Sequence, residues 1–207
     1  MDDLCEGAAP GWGFPLMKRL LIVGAGGHGR SVAEAVLAAG KYELVGFVDD
    51  AAPSLQCVWH LLVFGATSDL TRYGQYADAA IVAIGNNGLR EELQQRLYAA
   101  GFELATVIHP KAVVSPRAVI GAGSAIMAGA IVGTEAQLGA GVIVNCGAVV
   151  DHHCRVEDFG HLGVNAGMAG GAVLGRGAWM QAGSVLGYGV KVEAGLVLAP
   201  GPALSGK

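Results

Sequence analysis

The chain has 207 residues, enough for two small domains, and its formal net charge is −4 with only 14% charged residues. That balance excludes nucleic acid as a main partner, because neutralising phosphates needs clustered Lys and Arg. Hydrophobic content is 53%, yet no run approaches the roughly 18 uninterrupted apolar residues of a membrane span.

Residues 1–16, "MDDLCEGAAPGWGFPL", lack the basic start and apolar centre of a signal peptide. They are expected to be a disordered extension, with the first domain starting at Met17. Four cysteines without CxxC spacing (Cys5, Cys57, Cys146, Cys154) read as small thiols in a reducing compartment. The cytoplasm is the expected address.

From Met17 the pattern is that of a small Rossmann-like α/β domain, over 17–106. The apolar run Leu20–Val23 predicts a buried strand. A glycine turn follows, Gly24 to Gly29. "RSVAEAVLAAG" then has Val32, Val36 and Leu37 at helical spacing and ends at Gly40, a good C-cap. "ELVGFVDD" completes a βαβ unit, and "AAIVAIGNNGLREELQQRLYAAG" repeats strand, glycine turn and helix. The turn GAGGHG comes close to GxGxxG, with an acid, Asp49 or Asp50, about 20 residues on. Backbone amides and a helix N-terminus there suit a phosphate. The turn alone leaves three readings open: NAD, a nucleotide-sugar diphosphate, or tight packing without a ligand. Residues 50–64 carry no assignable function.

After residue 106 the period changes. From Ala112 the chain writes in rows of six, such as AVIGAG, SAIMAG and AVLGRG. The third place is aliphatic or Met in all sixteen rows, the first is mostly Ala or Ser, and the sixth is mostly Gly. An aliphatic every sixth residue points inward from a short flat strand. Small residues fit beside a corner, and glycine supplies backbone freedom at the turn. Three strands close a coil of 18 residues, and each coil buries the open face of the last. Residues 107–207 are therefore expected to form a parallel β-solenoid.

One stretch, "VVDHHCRVEDFGHLG", holds three of the six histidines: His152, His153 and His161. A metal site needs converging ligands. Adjacent side chains at 152 and 153 are expected to diverge, so no metal is expected. Histidine titrates near neutral pH and suits acid–base work; solvated corner histidines are the alternative. Eighteen residues after His152 stands Gly170, one coil above it. Its backbone N–H would lie where an oxyanion forms. Cys154 holds a small inward place, so a covalent cysteine is not expected.

"IVGAGGHGRSVAEAV", "GFVDD", "VAIGNNGLR", "VIHPKAVVSP" and "DHHCRVEDFGHLGVNAGMAGG" occur in one order. In that order the chain, from Met17 onward, resembles the sugar O/N-acetyltransferases of the sialic-acid O-acetyltransferase type. The resemblance implies a left-handed β-helix and an acetyl-CoA-dependent N-acetyltransferase acting on a nucleotide-linked amino sugar for surface glycan synthesis. O-acetylation of a sugar hydroxyl and a non-catalytic nucleotide-sugar scaffold are the alternatives. It implies that Gly26, Gly27, His28 and Gly29 lie near the diphosphate, and Asp49 and Asp50 near the base or ribose. The catalytic base maps to His152. His153 stands where the family commonly has an acid, so Asp151 is the candidate to orient the base. His161 and Gly170 would contact the acetyl-CoA thioester region. Gln181, Ala182 and Gly183, one coil further on, would line the pantetheine channel. Trp179 is expected at a subunit interface. The resemblance also implies a homotrimer with active sites between subunits.

Overall fold

The structure is a computed structural model that describes residues 17–201, with strand backbone also at 203 and 204. The expected extension over 1–16 lies outside the described residues.

The first domain is built on a parallel sheet. Strand β1 (Lys18–Val23) is central and fully apolar after Arg19, as a strand covered on both faces must be. Helix α1 (Gly27–Ala39) follows, then β2 (Tyr42–Val48) and a short antiparallel hairpin of β3 (Cys57–Val58) and β4 (Leu61–Leu62). The hairpin is the content of the segment 50–64, which sequence left unassigned. Strand β5 (Ala79–Val82), helix α2 (Asn87–Ala99) and β6 (Glu103–Leu104) complete the domain. The sheet order is β2-β1-β5-β6, all parallel.

Two readings of α1 change. The helix begins at Gly27, so Gly27, His28 and Gly29 lie in its first turn rather than in a loop. Leu37 is 51% exposed. The buried face is Val32, Ala33, Ala35 and Val36, and Leu37 falls one residue past it. Gly40 ends the helix in the left-handed conformation, with φ of 61°.

The glycines of the turn have separate jobs. A methyl at Gly29 would collide with the Gly24 carbonyl, whereas nothing lies within 4 Å of one at Gly27. Gly29 is what lets α1 lie close on β1. Gly29→Ala should therefore cost about 2–3 kcal/mol in urea unfolding, while Gly27→Ala should be neutral or slightly stabilising. Equal effects at the two positions would remove this distinction.

The second domain begins at β7 (Val107–Ile108), one hexad before the rows counted from Ala112, and runs to Ala203–Leu204. Seventeen two-residue strands form three parallel sheets of six, six and five strands. Each strand pairs with the one 18 residues on, as in Val149↔Gly167 and His161↔Trp179. The third-place residues form one apolar cluster from Ile126 to Leu198, joined by first-place Ala130, Ala148, Cys154, Ala166 and Ala178. The sixth-place corner residue takes a left-handed φ throughout the middle coils, and glycine fills most of these positions.

The outward faces differ. On the first, Val107, Ala125 and Ile143 are buried, and Val107, Ala125 and Met127 share one apolar cluster with Leu20, Val32 and Val36 of the α/β domain. On the second, Val113, Ile131 and Val185 are exposed. The third is mostly polar, with Gln137, Arg155 and Lys191 exposed. No helix among the described residues is long and apolar enough to cross a membrane.

Candidate active site

Three groups of residues bear on function. The first is a hollow of about 380 Å³ at the N-terminus of α1. It is lined by Gly24, Gly26, Gly27, His28, Asp49, Asp50, Thr67 and Gly85, among others. Positions Gly26 and Gly27 present open backbone to it, which suits an oxyanion at a helix N-terminus. Gly29, expected at the ligand, is buried on the inner side of the first turn of α1 and does not line the hollow; the close contact with Gly24 explains why. Asp49 accepts hydrogen bonds from the Ala25 and Ala51 N–H groups (2.7 and 2.8 Å), bracing the glycine turn. Asp50 accepts from the Thr67 N–H and hydroxyl (2.7 and 2.9 Å). Both carboxylates rim the hollow while holding its walls together.

The second group lies where the domains meet. Arg90 is completely buried. Its guanidinium donates to the carbonyls of Gly141 (2.8 Å), Ile84 (3.0 Å) and Phe159 (2.8 Å) and to Asn87 Oδ1 (2.9 Å). Asn87 in turn donates to the Gly177 carbonyl (2.8 Å). His161, 6% exposed, sits beside it and approaches the Gly85 carbonyl through Nδ1 (3.3 Å). Its ring stacks on Trp179 at 5.3 Å between centroids. Trp179 is partly buried within its own chain by this stack. The Nε2 atoms of His28 and His161 and the Trp179 Nε1 are buried without a hydrogen-bond partner among the described residues.

Burial, with the Arg90 cation close by, lowers His28 to about 4 and His161 to about 3. Both are neutral at pH 7. The unfolded chain takes up protons at these positions near 6.5, so between 6.5 and 4 it binds more protons than the fold does. Stability is complete above 6.5 and declines as pH falls toward 4. Urea unfolding should give about 2–4 kcal/mol less at pH 5 than at pH 7, with His161→Gln removing about half of that drop. A flat profile would contradict the buried neutral state.

The third group is a solenoid corner between the second and third faces. Asp151, His152 and His153 follow Val149–Val150 there. Asp151 Oδ1 accepts the His152 backbone N–H (2.7 Å), and its Oδ2 is 3.8 Å from His152 Nε2, outside hydrogen-bond range. The candidate orienting acid therefore caps the turn. The two imidazoles do not diverge as expected: His152 Nδ1 and His153 Nδ1 are 2.9 Å apart. His153 has a φ of 58°, and this left-handed backbone turns its side chain back toward its neighbour. His153 Nε2 is 2.9 Å from Glu135 Oε2.

Gly170 stands over His152, as the 18-residue coil requires. A methyl there would collide with the imidazole, 2.4 Å from Cε1 and 2.6 Å from Nε2. The Gly170 N–H has no acceptor among the described residues. Gly170→Ala should cost at least tenfold in turnover by displacing the ring, measured against unchanged thermal stability; full activity would separate the ring from the chemistry.

Cys154 is buried, its thiol donating to the Ala169 carbonyl (3.1 Å), and burial pushes its pKa up. That is the opposite of an activated nucleophile. Gln181, Ala182 and Gly183 occupy a different corner, between the first and second faces. None of these corner residues lines the hollow at α1. A larger hollow of about 510 Å³ lies on the third face, but its arginine 176 is already paired with Glu91 and Asp158.

Sequence reasoning missed Arg90, Asn87, Thr67 and Glu135. The first three act through tertiary contacts that no local pattern announces. Glu135 was findable: it is a non-glycine corner residue 18 positions before His153.

Residues 19–97 match the family described as the PglD N-terminal domain. Over 111 residues the chain is 34% identical to UDP-N-acetylbacillosamine N-acetyltransferase of Bacillus subtilis (strain 168); the match takes in 52% of this chain and 50% of that protein, about half the length of each. Among solved structures, a histidine-to-asparagine mutant of perosamine N-acetyltransferase from Caulobacter crescentus, in complex with CoA and GDP-perosamine, is 35% identical. It covers 89% of this chain and 87% of its own, with a TM-score of 0.85. The acetyltransferase domain of PglB from Neisseria gonorrhoeae FA1090, in complex with acetyl coenzyme A, is 35% identical over 92% of this chain and 97% of its own, with a TM-score of 0.72.

Proposed function

This chain belongs to the PglD-type sugar N-acetyltransferases, hexapeptide-repeat enzymes built on a left-handed β-helix, and from that premise we propose that it moves the acetyl group of acetyl-CoA onto the amino group of a nucleotide-linked 4-amino-4,6-dideoxyhexose. The observation that carries the reading is the pair His152 and Gly170, an imidazole packed on the glycine one coil above it, whose backbone N–H has no acceptor among the described residues. That pair offers a base and an oxyanion donor side by side.

In the proposed reaction the sugar amine attacks the thioester carbonyl carbon. His152 Nε2 takes the proton leaving nitrogen, and the Gly170 N–H donates to the oxyanion. The intermediate collapses with loss of the C–S bond, and the proton passes from His152 to the CoA sulfur. The product is an amide. No enzyme nucleophile is needed, in keeping with the buried thiol of Cys154.

The domains divide the work. The Gly26 and Gly27 amides and His28 at the start of α1 are assigned to the diphosphate, with Asp49 and Asp50 near the base or ribose. His161 donates through Nδ1 to Gly85, which leaves Nε2 as an acceptor for a substrate N–H near the thioester. Gln181, Ala182 and Gly183 are assigned to the pantetheine arm.

Within one chain the hollow at α1 and the His152 corner do not share a residue. The second face beside that corner exposes Val113, Ile131 and Val185. Both observations support a homotrimer whose sites lie between subunits. Three unpaired cysteines among the described residues accord with a cytoplasmic address.

The test is thiol release from acetyl-CoA across UDP-, GDP- and dTDP-linked 4-amino-4,6-dideoxyhexoses. The reading expects turnover on one of them and little on the free sugar. Thiol release that no amino sugar accelerates would overturn it.

A further inference from the structure

Non-glycine residues in the left-handed region are uncommon, and they persist where the side chain is required. In the solenoid four corner positions break the glycine rule: Glu135, His153, Phe159 and Asn165. Two of the four, Glu135 and His153, are stacked one coil apart at the His152 corner, each with a φ of 58°. Their side chains meet, His153 Nε2 to Glu135 Oε2 at 2.9 Å. The other ring nitrogen of His153 meets His152 Nδ1 at 2.9 Å. The three side chains form one continuous line: carboxylate, imidazole, imidazole.

The line has one protonation pattern that satisfies every member. A carboxylate only accepts, so His153 Nε2 carries a proton and donates it to Glu135. In a neutral His153 the Nδ1 is then an acceptor, so His152 Nδ1 carries the proton of that contact. His152 Nε2 is left with its lone pair free. This is the tautomer a general base needs. Asp151, the other carboxylate facing the pair, contributes no hydrogen bond to either ring; it is spent on the His152 backbone N–H.

We propose that Glu135 is a positioning residue for the acetyl transfer, acting through His153 to fix the tautomer of His152 and to stabilise the imidazolium that forms. The proposal rests on the assignment of His152 as base. When Nε2 takes the substrate proton, the positive charge is shared along the line: the Nδ1 proton of His152 shifts toward His153 Nδ1, and His153 leans its Nε2 proton on the Glu135 carboxylate. The line holds one extra proton until Nε2 returns it to the CoA sulfur, and then it relaxes.

The experiment compares Glu135→Gln, Glu135→Gly and His152→Ala in the full-length protein. Glu135→Gln keeps the shape but cannot hold the negative charge. It should lower kcat 10- to 50-fold, leave both KM values within about twofold, and move the acid limb of the kcat/KM profile to lower pH. Glu135→Gly removes the backbone strain, so it should melt at the same temperature or higher and yet be as slow. A merely structural glutamate would give the reverse: lost stability and an unmoved pH profile. If Glu135→Gln matches the wild type in kcat and in pH profile while His152→Ala is inactive, the positioning role is wrong and the base assignment stands. If His152→Ala keeps its activity, the base assignment itself has failed. A change confined to KM would make Glu135 a binding residue and overturn the proposal.

Discussion

His152→Ala should lower kcat by about a hundred- to a thousandfold and leave both KM values nearly unchanged. General base catalysis contributes roughly that much, and a group acting only in the transition state affects kcat and kcat/KM equally. The fold should tolerate the change. His152 is half exposed at a corner, its backbone turn is held by Asp151 and by the Gly171 N–H bonded to its carbonyl (3.0 Å), and the inward residues of the coil are Val150 and Cys154. His152→Asn would restore neither the base nor the link to His153. Steady-state thiol release is the measurement, with thermal unfolding alongside. A variant with kcat within threefold of wild type would move the base to another group.

Arg90→Ala should be the most destabilising single change away from the chemistry, by about 4 kcal/mol. The guanidinium is fully buried, and all its partners are neutral oxygens on both domains. Burial lowers its pKa to about 10, so it stays charged at pH 7. Truncation would strand the carbonyls of Ile84, Gly141 and Phe159, and each unsatisfied buried acceptor costs about 1–3 kcal/mol. Arg90→Lys should recover little, because an ammonium cannot fork to acceptors on three segments. The loss should loosen α2 from the solenoid first, where Asn87 and Gln94 also cross the seam. Urea unfolding followed by Trp179 fluorescence measures it, since Trp179 stacks on His161 at that seam. A cost under 1 kcal/mol would mean the seam is held by the shared apolar cluster of Val107, Ala125 and Met127 instead.

The solenoid was legible because every place in its hexad answers one physical demand. Apolar third places such as Val150 and Met168 face inward, small first places such as Ala148 sit at corners, and glycines take the left-handed turn. The same 18-residue arithmetic places Gly170 over His152 from sequence alone. The βαβ units were readable from Leu20–Val23, the glycine turn and Gly40. Errors came where a residue's direction depends on its backbone or its neighbours. Leu37 looked like a core residue but lies one step past the helix face. His152 and His153 were expected to point apart, and the left-handed φ at 153 turns them together. Arg90 carried no assignment from sequence because its acceptors come from Ile84, Gly141 and Phe159, which only the tertiary fold assembles. Glu135 carries a usable signal, a break in the glycine column one coil below another break at His153.

The most direct test of the central claim follows the acetyl carbon itself. The wild-type protein would be incubated with acetyl-CoA labelled at the carbonyl carbon and with the nucleotide 4-amino sugar that gives turnover, and the product read by NMR. The account predicts the label in an amide on the C4 nitrogen of the intact nucleotide sugar, formed at least a hundredfold more slowly by His152→Ala. Label in an ester on a sugar hydroxyl, or nucleotide sugar that binds and is recovered unacetylated, would contradict it.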